Sequence, residues 1–431
     1  VPNVFLPEKS VSIRSLRARG VSRRDWSHPF ARLWLGKSIS SASDFLVASA
    51  LPILAALLTE SRLLVAAVTT ALSLPWLIFG LTAGALVDRF DRRAAMLTAA
   101  GVRCAIYLVA GSLALAGMLP DVGLLVIAIA AGASQVITET ATIALTPRLV
   151  ERDQLERANA RLLTAELTVE TGAALIAGTL ASGGTSVVCG IGVISAAIAF
   201  AVLRRMRVPA ATTPEPTPAA TRGAGLLDGM RLLWRVPVLR SVSLMGAVIN
   251  TAWTAFTATF VLYAIDPGPI GLSAQQYSLL LTASIAGGIF GAHFSPHLLR
   301  RVGNRWGIGL NILANAVTFG MPALTASPWL IGMTFFAGDS ASPQWRVAVA
   351  TLQQRSVPEE LRGRVVAAYR TISLGAAVAG PPIGVAIAGL IGSRGLFAAA
   401  SLACWLMFIP FHRQVTAVSL AEPAGVVTSD R

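Results

Sequence analysis

The chain has 431 residues, of which 54% are hydrophobic and only 13% charged, with a mean hydropathy of +0.67. A soluble globular chain carries about 25% charged residues, so an ordinary soluble enzyme is excluded. A formal charge of +14 would suggest nucleic acid as the partner of a soluble protein; in so apolar a chain it is read by position instead, and no nucleic-acid partner is expected.

The hydrophobic share is close to what twelve spans of about 20 apolar residues need. In chain order, a basic segment over residues 1–32 precedes six apolar runs near 33–58, 63–86, 94–118, 122–146, 160–180 and 184–203. Residues 204–240 connect them to six more, near 241–264, 275–299, 306–326, 328–351, 365–391 and 395–412, and a tail follows over 413–431. These runs are called spans 1 to 12 below. Spans 1, 5 and 10 carry charged or small polar residues but are too apolar for loops.

With the N-terminus on the cytoplasmic side, the cytoplasmic segments hold 29 Lys and Arg and the opposite loops only Arg62 and Arg394. That asymmetry predicts a multi-pass protein with both termini inside, and the Arg- and Ala-rich composition points to a bacterial source, hence to the bacterial cytoplasmic (inner) membrane. The stretch VPAATTPEPTPAAT within 204–240 has too few large apolar residues to pack and reads as a linker. After it, Leu226, Leu227, Met230, Leu233 and Trp234 recur at helical spacing opposite Arg231 and Arg235, which predicts an amphipathic helix on the inner leaflet.

The two sets of spans repeat at an offset of 207, pairing Gly84 with Gly291, Ala85 with Ala292, Arg93 with Arg300, Leu145 with Leu352, Arg148 with Arg355 and Val150 with Val357. The expected fold is therefore an all-α polytopic membrane protein in two pseudo-symmetric six-helix bundles, 33–203 and 241–412, with a substrate site between them near the midplane.

Between spans 2 and 3 stands GALVDRFDRR, in which Gly84, Leu86, Asp88, Arg89, Arg92 and Arg93 match the pattern G-x-L-x-D-R-x-G-R-[RK], with Asp91 in place of the last Gly. This resembles the signature loop of the major facilitator superfamily. The loops Thr146 to Leu162 and Gln353 to Arg370 resemble those of its drug and natural-product exporter branch, which holds macrolide, tetracycline and siderophore exporters. The resemblance implies the twelve-helix major facilitator fold, alternating access in a monomer, and a conformational latch at Gly84, Asp88, Arg89, Arg92 and Arg93. Two features depart from the branch: span 4 lacks the Arg of many proton-coupled members, and its antiporter Gly-Pro in span 5 is Gly172-Ala173 here.

Ionisable groups inside a span cost several kcal/mol unless paired or hydrated and are functional candidates by default. The acids are Asp44, Glu139, Glu166, Glu170 and Asp339, the candidate proton-coupling residues; the bases are Lys37, Arg103, Arg346 and Arg370. Lys37, Ser41 and Asp44 form one helical stripe, and Glu166 and Glu170, four apart, cannot both ionise cheaply. The repeat sets Glu139 opposite Arg346 as a candidate gate pair, with Glu139 to Arg92 as its competitor. Asn250, Trp253, Thr254, Phe256 and Thr257 of span 7 make a polar stripe with aromatic flanks suited to an amphipathic organic substrate.

Other patterns carry no chemistry. Gly36, Lys37 and Ser38 imitate a phosphate loop but enter span 1, and Arg23 with Arg24 imitates a twin-arginine signal. His293 and His297 lack further ligands, and Cys104, Cys189 and Cys404 lie in apolar runs, so no metal, cofactor or disulfide is expected. The chain reads as an exporter of a small amphipathic drug-like or natural-product molecule, with protons as counter-ions, the lipid bilayer as surroundings and drug resistance as a possible consequence. An importer or lipid flippase of the same fold, and a membrane receptor or embedded enzyme, are the alternatives.

Overall fold

The computed structural model describes residues 28–58, 61–80, 91–151, 154–206, 224–357 and 359–415, and the structural account concerns these. Gly84, Asp88 and Arg89 of the signature loop, the linker stretch 207–223 and the terminal segments 1–27 and 416–431 lie outside them.

The described chain is helical. Span 1 is helix His28–Leu58, span 2 Arg62–Gly80, span 3 Arg92–Leu115, span 4 Asp121–Leu149, span 5 Leu155–Ser182 and span 6 Thr185–Arg204. Span 7 is Pro237–Ala264, and spans 8 and 9 run through one long element, Ala274–Leu324. Gly303 interrupts it at φ 77°, a left-handed value that only glycine adopts cheaply, and Gly392 does the same at φ 76° between spans 11 and 12. Eight of the described helices are long and apolar enough to cross a membrane, and one of these eight, Arg364–Gln414, carries both span 11 and span 12.

Local sequence fixes the helix ends. Asp91 N-caps span 3, its side chain accepting from the Arg93 N–H at 2.9 Å, so the residue that departs from the signature pattern starts the next helix. Arg93 turns back to the C-terminus of span 6, its Nε donating to the Leu203 carbonyl at 3.2 Å and its Nη2 to that of Arg204. Span 8 begins with a capping box: Ser273 Oγ accepts from the Gln276 N–H at 3.2 Å while Gln276 Oε1 accepts from the Ser273 N–H at 2.8 Å.

Two spans are broken where continuous helices were expected. Span 10 divides into Pro328–Ser340 and Ser342–Ser356, because Pro343 has no N–H to give and its ring opposes the preceding turn. Span 11 passes from Glu359–Gly375 through a 3-10 turn, Ala376–Ala379, before Pro381 and Pro382 open the next helix.

Helix Ala224–Arg235 forms where it was expected and packs in part on protein: Leu233 is buried, Gly229 lies directly on the Arg364 backbone, and Asp228 faces Arg364 at 3.5 Å. It docks on the start of span 11. Trp234 remains exposed.

Each set of spans packs mainly within itself. One end of the bundle carries the 80–91 and 206–224 connections and is called the linker end; the other is the far end. At the far end spans 5 and 8 meet so closely that a Cβ on Gly178 would overlap the Ala274 carbonyl, and the Gly178 N–H donates to Ser278 Oγ at 2.6 Å. Gln275 Nε2 donates to Ser182 Oγ at 3.1 Å, and Arg62 Nη1 to the Ala388 carbonyl at 3.1 Å. The halves are thus held shut there. Gly178→Val should wedge this contact, and a cysteine replacing Gln275 should then react with a polar maleimide several times faster in purified protein; an unchanged rate would contradict the close approach.

Candidate functional site

The polar interior lies along spans 1, 4 and 5, where Lys37, Asp44, Gln135, Thr138, Glu139 and Glu166 line a small cavity together with Ser41 and Phe45. Two of its charges are pinned. Asp44, only 2% exposed, is ion-paired with Arg103 of span 3, itself 1% exposed. Arg103 also donates to Ser40 Oγ at 3.1 Å. Lys37 is ion-paired with Glu166 across spans 1 and 5. Such pairs neutralise ions that hydrocarbon would otherwise reject.

The remaining charges are not paired in this way. Glu139 forms no hydrogen bond or ion pair with a described residue; the charges of Glu166, Lys37 and Arg370 reach it. Glu170 is likewise without an ion pair among the described residues and is reached by the charges of Glu166 and Arg346. Asp339 sits at the break in span 10, where its carboxylate accepts from Ser284 of span 8 and, at 3.3 Å, from Ser342 at the start of the next helix. Span 8 comes close enough to supply Ser284 because Gly291, about two turns further along, lets the helix lie directly on the Ser340 backbone.

Glu139 and Arg346, paired by the repeat, form no ion pair here; the electrostatic neighbours of Arg346 are Glu170, Asp339 and Tyr369. Arg92 makes a contact of its own, and its charge is not among those that reach Glu139. Arg346 and Arg370 are exposed.

The span 7 stripe needs one correction. Phe256 is wholly buried inside the second half, 5.0 Å from the rings of both Phe260 and Phe397 and 5.3 Å from Phe319, so it belongs to an aromatic core rather than to a cavity. Helical spacing alone could not tell the two faces apart. Trp253 is half-buried against Phe256 and Phe319, Asn250 donates to the Gly246 carbonyl at 2.8 Å, Thr254 donates to the Ala377 carbonyl of span 11 at 2.6 Å, and Thr257 donates to the Thr254 carbonyl at 3.3 Å. The hydroxyl of Thr254 thus satisfies a backbone group in the 3-10 turn of span 11.

His293 and His297 are exposed, and among the described residues no group of three or more His, Cys, Asp or Glu side chains is placed to hold a metal ion. Sequence reasoning missed Ser284 and Tyr369. For Asp339 a signal existed, the run Gly338, Asp339, Ser340, Ala341, Ser342, Pro343, in which small polar residues precede a proline within an apolar span.

Long apolar helices enclosing a charged interior define a multi-pass membrane protein that moves a solute, a transporter of major facilitator type. The chain belongs to the family described as Transmembrane secretion effector, which it matches over residues 26–423. It is 28% identical over 380 residues to the enterobactin exporter EntS of Shigella boydii serotype 4, covering 85% of this chain and 86% of that one, and 29% identical over the same length to its Escherichia coli O6:H1 counterpart. Among solved structures it resembles a mutant of the nucleoside transporter NupG, with TM-score 0.73, 13% identity and coverage of 89% of this chain and 100% of that one. A bacterial homologue of the iron transporter ferroportin in an inward-facing state gives TM-score 0.71 at 18% identity, covering 90% and 98%. These relatives and neighbours are transporters, not enzymes.

Truncating one member of a buried pair strands the other charge and costs about 3–5 kcal/mol, whereas removing both is far milder. Asp44→Asn should therefore lower the thermal midpoint of the detergent-purified protein markedly, and Asp44→Asn with Arg103→Met should recover most of the loss. A double variant no more stable than Asp44→Asn would contradict the pairing.

Proposed function

We propose that the protein is a secondary active exporter in the bacterial cytoplasmic membrane. On this reading twelve helices in two six-helix bundles, 33–203 and 241–412, move a small amphipathic organic molecule outward by alternating access, as a monomer in exchange for protons. The observation that carries the proposal is the division of the buried charges: Asp44 and Glu166 are each held by a base, while Glu139, Glu170 and Asp339 have no ion pair among the described residues, and the charges of Arg370 and Arg346 from the second half reach Glu139 and Glu170. A carboxyl that is not neutralised by a fixed cation can take up and release a proton as its surroundings change between water and protein. The export direction rests on kinship with an exporter of enterobactin.

With the basic linker end placed in the cytoplasm, the contacts of Gly178, Gln275 and Arg62 close the opposite side, which corresponds to a state open inward. The signature loop, with Gly84, Asp88, Arg89, Arg92 and Arg93, would latch the linker end of spans 2 and 11 in the opposite state, and Glu139 and Arg346 would approach each other as that end closes.

Inverted membrane vesicles with an imposed pH gradient provide the test. Uptake of an amphipathic compound should depend on the proton gradient in the wild type and fall at least tenfold in Glu139→Gln, Glu170→Gln or Asp339→Asn. Transport indifferent to the proton gradient would overturn the antiport reading. For the gate, cysteines at positions 139 and 346 should crosslink in protein trapped open to the far end and stay apart in protein open to the linker end; equal crosslinking in both would reject it.

A further inference from the structure

Arg346 stands on the second half of span 10 and Arg370 on the first part of span 11. Both are exposed, and neither forms a hydrogen bond or ion pair with a described residue. A guanidinium keeps its charge under all physiological conditions, so at membrane depth it must face water or an anion. Their neighbours locate them. The charge of Arg370 reaches Glu139 on span 4, that of Arg346 reaches Glu170 on span 5, and both reach the Tyr369 hydroxyl. The two arginines of the second half are thus within reach of the acidic wall that Glu139 and Glu170 make on the first, with Asp339 of their own half also near Arg346, rather than in a patch turned to lipid.

Each arginine follows an aromatic residue in sequence, Trp345 before Arg346 and Tyr369 before Arg370. Trp345 Nε1 donates to Tyr369 Oη at 3.2 Å, and this bond fixes the two rings between spans 10 and 11. Trp345 is nearly buried and Tyr369 half-buried, so an edge of apolar ring surface accompanies the two cations. Planar guanidinium forks match planar carboxylates by paired N–H donation, and aromatic surface favours a flat apolar body beside the charge.

From this juxtaposition we infer that Arg346 and Arg370, with Tyr369, form the anchor for an amphipathic organic anion, a carboxylate joined to an aromatic or apolar body. The inference rests on the transporter reading above and narrows its substrate class from any amphipathic molecule to an acidic one. It also gives the acidic wall a second part in the cycle. While the linker end is open the ligand's carboxylate neutralises the arginines; once it has left, Glu139 and Glu170 of the first half, whose carboxylates the arginines' charges already reach, can take its place as the halves close.

The test is equilibrium binding to the full-length protein in phosphatidylcholine nanodiscs, without any ion gradient, using 2-naphthoate and its neutral isostere 2-naphthamide as probes. The wild type should bind the naphthoate at least tenfold more tightly than the amide. Arg346→Gln and Arg370→Gln should each reduce that preference to about one, Arg346→Lys and Arg370→Lys should keep part of it, and Arg305→Gln, at the linker end of span 9, should leave it intact. Because the lysine variants preserve charge, they separate a lost anchor from a disturbed fold. A wild type that binds acid and amide equally, or glutamine variants that retain the wild-type preference, would overturn the assignment. No gradient is present, so failure of proton coupling in vesicles leaves this result untouched, and failure here leaves the transport result untouched.

Discussion

An ion placed in hydrocarbon without a partner costs several kcal/mol, and the arrangement of this protein depends on how that cost is met. Asp44 and Arg103 meet it by neutralising each other between spans 1 and 3, and Lys37 and Glu166 do so between spans 1 and 5. The two pairs tie span 1 to its neighbours by contacts that cannot be broken singly without stranding a charge. The charges left over, Glu139, Glu170 and Asp339, have no such partner among the described residues.

The two halves are asymmetric in charge. Glu139 and Glu170 belong to the first half, and Arg346 and Arg370, with the span 10 acid Asp339, to the second. Opposite charges held apart across a gap store an attraction that the closing of the gap would release. A ligand of matching charge can screen it, which couples occupancy to the separation of the halves without any long chain of contacts. Backbone contacts do the complementary work at the far end, where Gly178 and the Ser278 hydroxyl replace bulk with close approach.

Much of this was legible in the sequence. The spans could be read because about 20 apolar residues are needed to cross a bilayer and little else produces such runs; the described parts of the predicted runs are helical, with spans 10 and 11 broken where small residues and prolines interrupt them. The family was legible in GALVDRFDRR, although most of that loop lies outside the described residues. The partners of the buried acids were not legible. Asp44 had four bases to choose from, and Arg103 is 59 residues away on a helix that packing alone brings beside it. The amphipathic spacing of Ala224–Arg235 gave the helix but not its contact with the start of span 11, since periodicity reports that a face is apolar and not what covers it. Phe256 failed for the same reason, one face of span 7 being core and the next lining the junction with span 11.

On the proposed reading, the ion-paired acids Asp44 and Glu166 hold the first half together while the acids without an ion pair among the described residues, Glu139, Glu170 and Asp339, exchange protons. Infrared difference spectroscopy of the protonated carboxyl band through a pH titration tests it directly in purified protein. The band should titrate in the wild type and in Glu166→Gln, and should lose intensity in Glu139→Gln, Glu170→Gln or Asp339→Asn. A band that survives all three of those substitutions and vanishes in Glu166→Gln would contradict the claim.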